Sequence, residues 1–170
     1  MNESSKNNVN KETCRLISYL KLETPESKDV KAHFRHSAAM QPGEDVMLWG
    51  WLLSNLDPEM QGDGGNISFA EYAVYTTLSM FAIGPDNNKE NSIAEAVALG
   101  EIKRSKLTDV ETATDMKEMQ TALRGLVKLI TSKGVSFDYG RLASDLYYWQ
   151  INKANIARKW EREYARKEKK

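Results

Sequence analysis

The sequence contains little of what metal sites, disulfide frameworks and membrane spans require. A single cysteine, Cys14, among 170 residues leaves nothing to pair with in an internal disulfide and no multi-cysteine metal site, which fits a reducing compartment. The only histidines, His33 and His36, stand three apart with no third or fourth ligand at a spacing that completes a metal site, so they read as surface or phosphate-facing residues. No apolar run approaches the roughly 20 residues that span a bilayer. The polar start MNESSKNNVNKE has no hydrophobic core of a secretory signal, so the expectation is a cytoplasmic protein with no membrane partner. Glycine-rich phosphate loops, nucleophile elbows and zinc-hydrolase helix motifs are all missing, which argues against an enzyme and against a bound cofactor. Strand-like alternation is missing too, and no repeat of fixed period is visible.

Helical periodicity is what remains, punctuated by ten glycines and four prolines. After a polar tail over residues 1–10, Leu16, Ile17 and Leu20 mark a short helix that Pro25 closes. Val30 and Phe34 place a second helix after Ser27, and Val46, Trp49, Leu53 and Leu56 give a third, ended by Asp57-Pro58. Capping boxes at Ser68 to Glu71 and Ser92 to Glu95 open two more helices, with Gly84-Pro85 stopping the first and Gly100 a candidate left-handed cap for the second. Asp115 to Glu118 opens a long helix with an apolar face from Met116 to Ile130, ended by Gly134. Asp138 then caps a helix carrying Tyr139, Leu142, Ala143, Leu146 and Trp149, and after a polar break Ile156, Trp160 and Tyr164 continue four apart. The expected fold is all-α, a bundle of roughly eight helices in two small lobes, residues 11–90 and 91–170, with the basic surface on the second.

The loop DPEMQGDGGN, residues 57–66, imitates the back half of a calcium-binding EF-hand, with Ile67 and Glu71 at the eighth and twelfth loop positions. The imitation fails at its front, where Met60 and Gly64 occupy places that need oxygen ligands. A loop leading into a capped helix explains the same residues.

Lysine plus arginine equals aspartate plus glutamate at 24 each, yet the halves differ. Residues 1–100 carry 8 basic and 14 acidic side chains, a net of −6, and residues 101–170 carry 16 and 10, a net of +6. Three basic clusters stand out. Lys103, Arg104 and Lys106 lie together in an expected loop. Arg124 and Lys128 share a helix face, and Arg158, Lys159 and Arg162 border the last apolar stripe. Asp145 reads as a partner for a nearby base such as Arg141.

The order of residues in the last third resembles the small subunit (CasB) of the type I-E CRISPR surveillance complex, Cascade. The resemblance rests on Val135, Phe137, Asp138 and Tyr139, then Leu142, Asp145, Leu146 and Trp149, then Arg158, Trp160 and Tyr164. Upstream, ALRGLVKLI from Ala122 to Ile130 is similar to the family's "leucine, arginine, any, leucine" helix, and KAHFRHSAA from Lys31 to its early basic element. The pattern covers roughly residues 27–164. The resemblance implies a non-catalytic structural subunit whose partners are the large subunit, the backbone subunits and a second copy of itself. It also implies that the subunit follows the backbone of guide RNA and target DNA and stabilises the R-loop, with Arg35, Arg124 and Arg158 the matching positions. Two features depart from the family: the chain is neutral, and Gly125 stands where relatives often place a base. A helical adaptor that binds only protein is the alternative, and a small DNA-binding regulator the third reading.

A far-ultraviolet circular dichroism spectrum should be dominated by helix, and a substantial strand component would contradict the all-α reading.

Overall fold

Oxygen-bearing side chains start most of the helices. The computed structural model describes the backbone of residues 3–168 and the side chains of residues 8–168. The described residues form eight α-helices and no strand. These are α1 (Glu3–Leu20), α2 (Pro25–Ser37), α3 (Val46–Asn55), α4 (Phe69–Ile83), α5 (Ile93–Leu99), α6 (Arg104–Glu111), α7 (Met116–Ser132) and α8 (Tyr139–Glu168). Both capping boxes form as expected, with Glu71 and Glu95 turning back to the cap backbones of Ser68 and Ser92. Asp115 accepts from the Glu118 N–H, and Asp138 accepts from Gly140 and Arg141. Gly134, at φ +70°, turns the chain out of α7 in a conformation that a side chain would strain.

Several local expectations are corrected. Helix α1 begins at Glu3, so residues 3–10 are helical where a frayed tail was expected, and Val9 is fully buried. Pro25 opens α2 where it was expected to close a region: it occupies the first helical position, and Thr24 caps Ser27. Gly100 is right-handed at φ −80°, and the left-handed residue is Glu101 at φ +54°. Lys103, Arg104 and Lys106 do not form a loop, because α6 starts at Arg104.

Helices α4 and α8 occupy the middle. Helices α1 and α2 pack on α4, α3 touches α2, α7 touches α4 and α6, and α8 lies against α1, α4, α5 and α6. One cluster of buried apolar side chains runs through these contacts, from Leu16 and Phe34 through Leu52, Leu78 and Val97 to Leu126, Leu146 and Trp160. Each large aliphatic or aromatic side chain buried in it stabilises the fold by roughly 1.5–3 kcal/mol. At Gly140 a Cβ would lie 2.8 Å from Cys14 Sγ, so the absent side chain is what lets α8 approach α1 closely.

The polar break expected in α8 falls at Asn152, whose φ of −152° and ψ of 84° interrupt the helix. Its side chain accepts from the Asn155 N–H at 3.2 Å, so the breaking residue also caps the next helical segment. Across the break, Asp145 accepts from Lys159 Nζ and from Trp160 Nε1, the latter at 2.9 Å. Asp145 was expected to pair with Arg141, but Arg141 reaches Glu95 and Glu163 instead. A carboxylate that is 2 % exposed therefore fastens one half of α8 to the other.

Replacing Asp145 with Ala leaves the buried Trp160 N–H without its acceptor and Lys159, a third exposed, with only Glu163 at 3.8 Å. Urea unfolding should show a loss of about 1–3 kcal/mol, chiefly from the unsatisfied indole N–H. Asp145→Asn keeps an acceptor for Trp160 and should cost less.

Candidate nucleic-acid interface

The basic residues fall into two groups, those whose charge is neutralised internally and those that face outward. Arg104 belongs to the first group. Its guanidinium donates to Glu111 Oε1 at 2.9 Å and to Glu161, its Nη1 donates to Thr108 Oγ1 at 3.1 Å, and its carbon lies 5.5 Å from the Tyr164 ring centre. Burial pulls the guanidinium down, but the bonds to Glu161 and Glu111 outweigh it and hold Arg104 above its usual range. Glu111, 6 % exposed, is pushed above the ordinary carboxylate range by burial, with Arg104 pulling the other way. This is a clamp between α6 and the end of α8. Lys159 is committed in the same way to Asp145, with Glu163 3.8 Å away.

The outward group divides between faces. On one, Lys21, Lys28, Lys31 and Arg35 line a pocket of about 540 Å³ between the α1–α2 turn and the end of α4. Lys31 lies 5.0 Å from the centre of the Phe81 ring, and Lys21 pairs with Asp86 at 3.0 Å. Bonds from Lys21 and from the Asn87 N–H hold the Asp86 carboxyl below its usual range. Arg35 Nε reaches the Ala82 carbonyl at 3.4 Å.

Helix α7 meets this face through Gln120, which donates to the Ala38 and Met40 carbonyls at 3.0 and 2.7 Å. Two turns on, Val127 crowds Gly84, where a Cβ would lie 2.7 Å from its side chain. Arg124 lies between these two contacts along α7 and is half-buried. Its Nε is buried with no hydrogen-bond partner among the described residues. Lys128, one turn further, is exposed.

On the other face, Arg158, Arg162 and Arg166 line a groove of about 650 Å³ along the last segment of α8, with the paired Lys159 and Glu163 in its wall. Arg35 and Arg158 line separate pockets. Lys103 and Lys106 are exposed at the start of α6. Lys21 and Asp86 were missed by sequence reasoning; only a pairing between distant turns brings them to Arg35.

The remaining candidates resolve into structure. Glu71, the last position of the imitated calcium loop, accepts from the Gly62 and Ser68 N–H groups at 2.9 and 2.7 Å. Its oxygen is thus occupied by the loop itself, and the described residues contain no group of three metal-ligating side chains. His33 is a partly exposed surface residue whose Nδ1 lies 3.2 Å from the Asp45 carboxylate that caps α3. No described helix is long and apolar enough to cross a membrane.

Comparison with solved structures finds the same fold in CasB from Thermobifida fusca, at a TM-score of 0.72 and 20 % identity over 94 % of this chain and 96 % of that one. A CRISPR-associated protein of the Cse2 family from Thermus thermophilus matches at 0.72 and 23 % identity, covering 90 % and 97 %. A structure of CasB from Thermus thermophilus matches at 0.67 and 21 %, with the same coverage. Comparison with curated protein sequences finds no match. Residues 30–164, which take in Lys31, Arg35 and α8 through Tyr164, match the family model described as CRISPR-associated protein Cse2. The chain belongs to the Cse2 family of CRISPR-associated proteins.

Proposed function

We propose that this chain is a non-catalytic structural subunit of a type I-E Cascade complex that holds nucleic-acid backbone and stabilises the R-loop between guide RNA and target DNA. The observation that carries the reading is the pair of cationic linings, Lys28, Lys31 and Arg35 in one pocket and Arg158, Arg162 and Arg166 in another. Outward guanidinium and ammonium groups gathered on one surface suit phosphate oxygens, with which arginine pairs in a directed way. Lys28 and Lys31 beside Arg35 extend the cationic track, and Arg158 and Arg162 on α8 give a second one. Neither track offers a base-reading helix in a groove-sized projection, which suits backbone contact without sequence preference. The two tracks sit on separate pockets, so the chain touches nucleic acid in two places or bridges two strands. We assign Lys28, Lys31 and Arg35 together with the basic half, residues 91–170, to nucleic acid, and the remaining surface of residues 11–90 to contacts with the large subunit, the backbone subunits or a second copy.

Binding should be salt-dependent and indifferent to sequence. In the assembled complex, Arg124→Ala should weaken R-loop formation about equally on unrelated targets. The slope of log affinity against log salt should fall by roughly 0.7–0.9 for each phosphate that the variant no longer neutralises. If the triple variant Arg35→Ala, Arg124→Ala, Arg158→Ala enters the complex and supports R-loops as well as the parent, the protein-only adaptor reading replaces this one.

Arg104→Ala should behave oppositely. It leaves Glu111 buried and unpaired, so thermal or urea unfolding should register a loss of about 3 kcal/mol, while the salt slope of binding stays unchanged. A changed slope with unchanged stability would move Arg104 to the binding surface.

A further inference from the structure

Two features that stand out in the sequence have no part in phosphate binding: the glycine loop over residues 57–66 and the aromatic patch around Tyr147. The fold brings them together. Asp57, Glu59, Met60, Gln61, Phe69 and Tyr147 line a pocket of about 330 Å³, near the lower end of the size range of ligand sites. That is room for one side chain.

The walls are fixed by the chain itself. Gln61 Nε2 donates to the Leu53 and Leu56 carbonyls at 2.8 and 3.0 Å, and Ser68 Oγ donates to the Met60 carbonyl. Glu71 ties Gly62 to Ser68. Phe69 forms the rim and is 47 % exposed, although a phenylalanine in an ordinary core position would be covered. Its ring stands edge-on to Tyr147 at 6.3 Å, and its carbonyl accepts from Gln150 Nε2 at 2.9 Å. An exposed aromatic on a rigid frame is thereby presented outward.

Charge selects what enters. Asp57 and Glu59 line the pocket, and no basic side chain does so among the described residues. Asp57 uses Oδ1 on the Glu59 N–H, which orients its carboxylate. The pocket is therefore anionic and aromatic, opposite in sign to both phosphate tracks, and nucleic-acid backbone is repelled from it. A flat delocalised cation satisfies both parts of the wall, stacking on a ring while its N–H groups meet carboxylate oxygens.

We propose that this pocket receives an arginine side chain from a different protein chain of the assembly, and so anchors the subunit to its neighbour. The inference rests on the reading of the chain as an assembly subunit.

The test has two arms. In the first, the isotope-labelled full chain is titrated with N-acetyl-arginine methylamide and, in parallel, with the norleucine analogue, while backbone amide shifts are followed. The arginine derivative should shift Glu59, Gln61, Phe69 and Tyr147 saturably, and the norleucine analogue should not. Phe69→Leu, and separately the double variant Asp57→Asn, Glu59→Gln, should each weaken that binding about tenfold without altering the melting curve. No shift with the arginine derivative, or equal shifts with norleucine, would overturn the proposal.

In the second arm, Glu59→Lys is assembled with the other Cascade subunits and its share in the purified complex compared with that of the parent chain. Reduced incorporation with unchanged nucleic-acid binding by the free chain supports the anchor. Equal incorporation of variant and parent overturns the anchor and leaves the subunit reading standing. Failure of the parent chain itself to enter the complex sinks the subunit reading. A loss of self-association on sedimentation, with normal incorporation, would show that a second copy is the occupant and would overturn the proposal as stated.

Discussion

The fold's last third depends on one buried carboxylate. Asp145 accepts from Lys159 and from the Trp160 indole across the break at Asn152, and so returns the end of α8 onto α5, α6 and its own first half. An unpaired carboxylate at that depth would be prohibitive, and the pairing needs both donors on a segment free to turn back. The break at Asn152 supplies the freedom, and the Asn152 side chain caps the helical turn beyond it. With Trp160 fixed inward, the 3.6-residue period puts Arg158 and Arg162 outward. The position of one outward basic track thus derives from a structural ion pair.

The same kind of pairing explains how a chain of zero net charge can still present outward basic patches. Lys159, Arg104 and Arg141 are neutralised against Asp145, Glu111, Glu161, Glu95 and Glu163, several of them buried. These pairs cancel charge inside the molecule, where it fixes helices to one another. Acidic side chains gather elsewhere, at the loop beside Phe69. What the solvent meets is patches of opposite sign, and total charge carries no information about them.

Much of this was legible in the sequence wherever the deciding contacts are local. Both capping boxes, the Asp115 and Asp138 caps, the Gly134 turn and the break in α8 each depend on residues a few positions apart, and each was placed correctly. Errors appeared where the partner is remote. Arg104 was grouped with Lys103 and Lys106 as a surface cluster because Glu161, 57 residues on, is invisible to local reading. Asp145 was matched to Arg141 four residues away, although Lys159 lies fourteen on. Pro25 was read as a stop because proline both ends helices and begins them, and only the Thr24 cap decides which. The pocket under Arg35 needed Lys21 and Phe81, which no spacing rule connects to it.

The central claim is that two separate outward tracks touch nucleic acid while the acidic, aromatic pocket touches protein. Photo-crosslinking within the assembled complex tests it directly, with p-azidophenylalanine replacing Lys28, Arg162 or Phe69 in turn. Crosslinks to a nucleic-acid strand from the first two positions, and to a protein subunit from the third, are the expected result. Crosslinks to protein alone from both Lys28 and Arg162 would contradict the account.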